Sequence, residues 1–352
     1  MHKDISNLSK IPVVVIAASF VIVITGLIQA ISIVNPILMA LFISIICAQP
    51  ILWLQTKKVP QTLAVFIVLF LIVAIFIGFS ELIGASLSSF SENASVYEDN
   101  LRAMVKTVVE FTNSLGLNIS FTKVSSMFDV SKVMNLTASM LGQLGSIMGN
   151  VLTIFFLALF LLFELDSLEI KSKLVFKEAT TRKYIFSIFK SIRHYLSIKT
   201  VTSLITGVFV WIALEITGLD YAIIWGLIAF LLNYIPNIGS IVAAIPAVLF
   251  ALIQLGFVGV LWTSSIFIAV NMIVGNIIEP KMMGSGLGLS TYVVFVSLLV
   301  WGFILGTVGM FLSVPLTMAI KIMLEQNKRT EWIAILLGSR EEAITILENE
   351  NQ

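Results

Sequence analysis

The chain has 352 residues, of which 58% are hydrophobic and only 12% charged, with a mean hydropathy of +1.04 and a formal net charge of +1. An ordinary soluble domain is roughly 45–50% apolar and about 25% charged, so the composition excludes a soluble globular protein. The near-balanced charge gives no footing for nucleic acid, and the expected surroundings are a lipid bilayer. A single cysteine, Cys47, cannot form an intrachain disulfide, and two histidines, His2 and His194, cannot make a metal cluster; no cofactor is expected.

In chain order, residues 11–28 and 31–53 are each long enough for one crossing at roughly 20 residues per span. Neither a cleavage site nor a short apolar region marks the start as a removable signal. Asn35-Pro36 marks a turn or the early second helix. Lys3 and Lys10 precede this pair of spans, Lys57 and Lys58 follow it, and the connection between holds no Lys or Arg. Counting positive charges therefore puts both ends of the pair in the cytoplasm. Residues 60–79 cross outward and complete an N-terminal membrane unit, 1–79.

Composition changes over 80–146, which holds six acidic and four basic residues and no run long enough to cross. We expect an extracytoplasmic domain of two amphipathic helices, because Leu101, Met104, Val105, Val108 and Val109 follow helical spacing, and Val130, Val133, Met134, Leu141 and Leu144 do so more loosely. Residues 147–163 cross back. Between 164 and 199 eight Lys or Arg stand against four acids, and Ile185, Ile188, Phe189, Ile192 and Leu196 form a stripe suited to the inner membrane surface.

The transport core is expected over 200–324. Residues 200–218 cross outward, and the following 35 residues, 221–255, contain no Lys or Arg but are interrupted by L-L-N-Y-I-P-N-I-G-S at 231–240. Proline removes a backbone donor, glycine loosens the chain, and amide groups freed in hydrocarbon must be satisfied by protein or by water in a cavity. Each half is about 15 residues, or roughly 22 Å of helix, short of the roughly 30 Å hydrocarbon core. Residues 257–278 cross next and end at Glu279-Pro280-Lys281. After the Gly-rich connector 284–288, residues 289–323 are interrupted again at 305–315. Both breaks pair an apolar-Gly start with a closing proline, the expected form of an inverted repeat of two broken, re-entrant hairpins. A charged, peripheral cytoplasmic tail, 325–352, closes the chain. The fold class is all-α, a polytopic transmembrane helical transporter.

Four fragments, N-Y-I-P-N-I-G-S at 233–240, G-N-I-I-E-P-K-M-M-G at 275–284, G-L-G-L-S at 286–290 and G-x-x-G-M-F-L-S-V-P at 306–315, together resemble the autoinducer-2 exporter (AI-2E) family of bacterial membrane proteins. The resemblance covers almost the whole chain. It implies a multi-pass protein of the bacterial inner membrane with both termini cytoplasmic, and a homo-oligomer, that exports autoinducer-2 or a similar small polar metabolite. Other branches are linked to sodium or proton antiport, so a Na⁺(Li⁺)/H⁺ antiporter is the alternative.

Candidate substrate-binding residues come from the break and the span after it. Asn233, Tyr234, Asn237 and Ser240 offer uncharged donors and acceptors for a polyhydroxylated ligand, while Pro236 and Gly239 hold the helix open. Asn271 and Asn276 lie in the next span. Glu279, after twenty uncharged residues, is the acid best placed to matter near a membrane cavity, unless it simply pairs with Lys281 or a base of the cytoplasmic helix. No nucleotide-binding loop, nucleophile elbow or carboxylate pair is present, and an enzyme is not expected.

Overall fold

The computed structural model describes residues 13–114, 139, 151–175, 179–236, 238–283 and 288–350, and among these every regular element is helical. In chain order they are α1 (Val13–Gln29), α2 (Ile31–Thr56), α3 (Gln61–Glu92), α4 (Ala94–Ser114), α5 (Val151–Val175), α6 (Ala179–Ile216), α7 (Ala222–Leu232), α8 (Gly239–Ile273), a π turn (Val274–Ile278), α9 (Glu279–Met283), α10 (Thr291–Glu325), α11 (Glu331–Leu337) and α12 (Arg340–Glu350). Five stretches are long and apolar enough to cross a membrane: Ile31–Thr56, Gln61–Glu92, Phe186–Ile216, Gly239–Met283 and Thr291–Glu325. Many large apolar side chains on them face outward, including Phe70, Trp262 and Phe303, as a lipid solvent requires.

Asn35 and Pro36 do not interrupt the chain, since α2 already begins at Ile31. The span expected to stop at 79 runs on as α3 to Glu92. Nothing after Phe79 breaks a helix, and Ile83 and Phe90 gain burial by continuing it. The first amphipathic helix is α4, whereas the second expected helix, around 130–144, falls outside the described residues except for Ser139. Nor do the surface helix and the next span separate at Thr200. They form one helix, α6, because Ile192 and Leu196 pack into a core cluster with Tyr195 and Tyr234.

α6 and α7 make the tightest helix pair, and two glycines explain it. A Cβ on Gly207 would lie 2.8 Å from the Gly226 carbonyl oxygen, and one on Gly226 would lie 2.7 Å from that of Gly207. Small residues at such a crossing let backbones touch where apolar burial offers no drive between helices in lipid.

The first break occurs where it was expected, with α7 ending at Leu232 and α8 starting at Gly239. The second break, expected at 305–315, is a fold-back at a single glycine, Gly306 (φ 64°), inside α10, and α8 folds back in the same way at Gly256 (φ 67°). A Cβ on Gly259 would come 2.8 Å from the Ala251 carbonyl oxygen, although residues eight apart in a straight helix are separated by roughly 12 Å. Gly309 lies against the Trp301 carbonyl in the same way. Both corners read L-G-x-V-G, at 255–259 and 305–309. Gly239 presses likewise on the Leu232 carbonyl, so each of the three reversals seats a glycine of the outgoing arm on the backbone of the incoming one. The Asn35 amide donates to the Leu305 carbonyl at 3.1 Å, binding α2 to the second corner.

Two packed regions lie at opposite ends of α7. Around Phe250, the rings of Phe90, Tyr97, Tyr221 and Trp225 gather at 5.2–6.0 Å between centroids, and the Tyr97 hydroxyl donates to Asp220 at 2.9 Å. Around Tyr234, Phe42 of α2, Phe230 of α7 and Phe311 of α10 approach at 5.6–6.1 Å. The tip of the first break thus touches the second broken helix directly.

Candidate functional site

The polar face of α6 builds the site. Thr202, Ser203 and Thr206 stand three, four and seven residues after Lys199, where α6 turns from its basic half to its apolar half, so the four share one side. All four are buried. Thr200 and Thr206 donate back to the carbonyls of Leu196 and Thr202 at 2.7 and 2.9 Å, which satisfies their hydroxyls within the helix.

Against this face come two unwound pieces of chain. At the first break the Asn233 amide donates to the Ser203 hydroxyl at 3.0 Å, and the Tyr234 hydroxyl donates to Thr200 at 2.9 Å. At the second, the π turn delivers Glu279 to Lys199. The ammonium donates to both carboxylate oxygens at 2.7 and 2.9 Å, and the Thr202 hydroxyl stands 3.3 Å from the second. Single π turns are often found at functional sites because they re-aim the side chains next to them. Here the re-aimed group is Glu279, whose side chain is 16% exposed, while that of Lys199 is 5% exposed. The pair is a buried, charge-assisted contact, strong only while both partners remain.

Of the sequence candidates, Asn233, Tyr234 and Glu279 meet on one helix face. Gly239 and Ser240 are buried in the first turn of α8, with Pro236 in the turn before it. Asn237 lies outside the described residues. Asn271 is half-buried and Asn276 exposed, so the span after the break does not bring them into the seam together. Glu279 pairs with Lys199, a base of the expected cytoplasmic helix, and not with Lys281. The contribution of α6 was missed. Its signal was legible as K-T-V-T-S-L-I-T at 199–206, hydroxyls on one side of an apolar helix.

The result is an occluded seam of hydroxyl, amide and one internally neutralised ion pair, closed by Tyr234 against Phe42 and Phe311. Its hydroxyl and amide groups can donate and accept hydrogen bonds, and its described charges, Lys199 and Glu279, are paired with each other.

Residues 16–329 match the family model described as AI-2E family transporter. The chain belongs to the AI-2E transporter family. It is 35% identical to the AI-2 transport protein TqsA of Escherichia coli over 339 residues, 96% of this chain and 98% of that protein. A relative in Haemophilus influenzae is 41% identical over 333 residues, 92% of this chain and 95% of its own length. YhhT of Escherichia coli is 36% identical over 325 residues, 91% and 92% respectively; both carry the name "Putative transport protein". Family membership and the five crossing-length helices make the chain a multi-pass membrane transporter.

Proposed function

We propose that this AI-2E transporter carries autoinducer-2 or a similar small, uncharged, polyhydroxylated metabolite out of the cell, across the bacterial inner membrane, with both termini cytoplasmic. One observation carries this more than any other. At the first break Asn233 and Tyr234 direct their polar groups onto the hydroxyl face of α6, and Tyr234 packs against Phe42 and Phe311 in an otherwise apolar cluster.

Hydroxyl and amide groups can each donate and accept, so they suit a polyol better than an ion. Asn233, Tyr234, Ser240 and the α6 hydroxyls at Thr200, Thr202 and Ser203 are assigned to the solute, and Asn237 of the same motif is assigned with them from the sequence alone. The Lys199–Glu279 pair holds the π-turn segment to α6. The similarity to TqsA supports autoinducer-2 as the first solute to try. We also infer a homo-oligomer, since lipid-facing helices such as α3 leave broad apolar faces for other copies.

The test is flux of autoinducer-2 in vesicles holding the purified protein, with and without imposed proton and sodium gradients. We expect solute movement that Tyr234→Phe and Asn233→Ala each reduce several-fold. Gradient-driven Na⁺ or H⁺ exchange with no solute movement would replace this function with an antiporter.

A further inference from the structure

Beside the seam lies a cavity of about 490 Å³ that the transport reading leaves unused. Its walls include Ser191 and Tyr195 on α6, Met283 at the end of α9, Lys321 and Glu325 on α10, and Glu341 and Glu342 at the start of α12. The volume falls within the roughly 300–1,000 Å³ usual for small-molecule sites. Tyr195 and Met318, both lining it, belong to the same buried cluster as Tyr234, so the cavity backs onto the tip of the first break.

The tail was expected to be peripheral, yet it roofs this cavity. Ala334 is buried, the Leu337 carbonyl accepts from the Ser290 amide at 3.0 Å, and the Glu342 carboxylate accepts twice from Lys321, at 2.7 and 2.8 Å. Lys321 also pairs with Glu325, one turn along its own helix, at 2.8 Å. The contact to Glu342 can break while the one to Glu325 stays. If Glu342 leaves, it moves into water from a position already 35% exposed, and Lys321, only 7% exposed, keeps Glu325 as counter-ion. Opening therefore strands no buried charge, the usual penalty for parting such a pair.

We propose that the cavity is the inner antechamber of the transport route, a binding site for the same small neutral polyol, and that α11 and α12 are its lid, latched by Glu342 on Lys321. This rests on the transport function above for the identity of the solute. The wall sets one ammonium, Lys321, among three carboxylates, Glu325, Glu341 and Glu342, which disfavours an anion, while carboxylates and the hydroxyls of Ser191 and Tyr195 can all bond to the hydroxyls of a neutral polyol.

The experiment uses the full chain in vesicles, with Cys47→Ser removing the buried native thiol and Ser191→Cys placing one in the cavity. The rate of modification by a membrane-impermeant thiol reagent on the tail-side face reports the lid. Glu342→Gln, and independently Lys321→Met from the other side of the latch, should each raise that rate about tenfold or more, as loss of a local closing contact does. Autoinducer-2 should slow it, and Ser191→Trp, which fills the cavity, should cut flux at least about tenfold. Unchanged labelling in both latch variants that remain monodisperse would overturn the lid. Full flux through the Trp-filled cavity would overturn the antechamber. Labelling needs no solute, so a protein that carries no autoinducer-2 loses its assigned substrate while the lid is still decided.

Discussion

Glu279 finds its counter-ion eighty residues away, and both charges are nearly sealed from water. Removing one partner of such a pair costs about 3–5 kcal/mol because the other stays buried and uncompensated. Glu279→Gln is therefore expected to lower the unfolding temperature in detergent markedly, and adding Lys199→Met should recover most of the loss. In vesicles Glu279→Gln should reduce solute flux without abolishing it, and complete loss of Na⁺- or H⁺-driven exchange in this variant would assign Glu279 to ion coupling. Tyr97 is the residue-scale probe of the opposite end. Burial, then its hydrogen bonds with Tyr221 and Asp220, push its phenol above the ordinary value of 10.0. A raised folded value means that the stabilising contribution is complete below pH 10 and is lost as the pH rises through the folded value. Docking of α4 should then loosen above about pH 10, measured by hydrogen exchange of its amides, and Tyr97→Phe should lose about 1 kcal/mol and this pH dependence together.

At the scale of elements, glycine placement separates contact from tolerance. Gly207→Ala puts a methyl 2.7 Å from the Phe230 Cβ and 2.8 Å from the Gly226 carbonyl, so the α6–α7 pair must part, at about 1–3 kcal/mol. Gly84 on α3 has nothing within 4 Å of the same position. Gly84→Ala should be neutral or stabilising by up to about 1 kcal/mol, because alanine is the better helix former. Thermal unfolding of the two variants side by side checks both. The same geometry decides how the break is to be tested. Gly239→Ala collides with the Leu232 carbonyl and will not straighten the segment, whereas Pro236→Ala changes only the turn. We expect Pro236→Ala to insert normally and lose most of its flux; normal transport would mean that proline does not hold the break open.

For the whole molecule, sidedness is the property most open to a direct check. The basic excess over 164–199 predicts that segment in the cytoplasm, and α4 outside, by the resistance of Lys and Arg to translocation. With Cys47→Ser as background, Ser95→Cys should be labelled by an impermeant reagent in intact cells and Ser172→Cys only after permeabilisation. The reverse pattern would invert the protein and put the proposed antechamber on the outside.

The amino-acid sequence by itself determined the class of protein, the helical fold, the position of the first break and the family. Each rests on one-dimensional signals: apolar length, proline and glycine inside a span, and a run of motifs. It also singled out Asn233, Tyr234 and Glu279, because polar groups in hydrocarbon are conspicuous. Only the tertiary structure decided what they face. Lys199 looked like one more base of a cytoplasmic helix, since nothing local tells that α6 continues unbroken through Thr200 or that a π turn carries Glu279 across to it. Gly256 fell between two expected segments and Gly306 inside the second expected break, but the fold-back at each was not legible, since a reversal at a single residue leaves hydropathy unchanged. The tail looked peripheral because its charges were counted without their partner, and Lys321, buried on another helix, is what turns Glu342 inward.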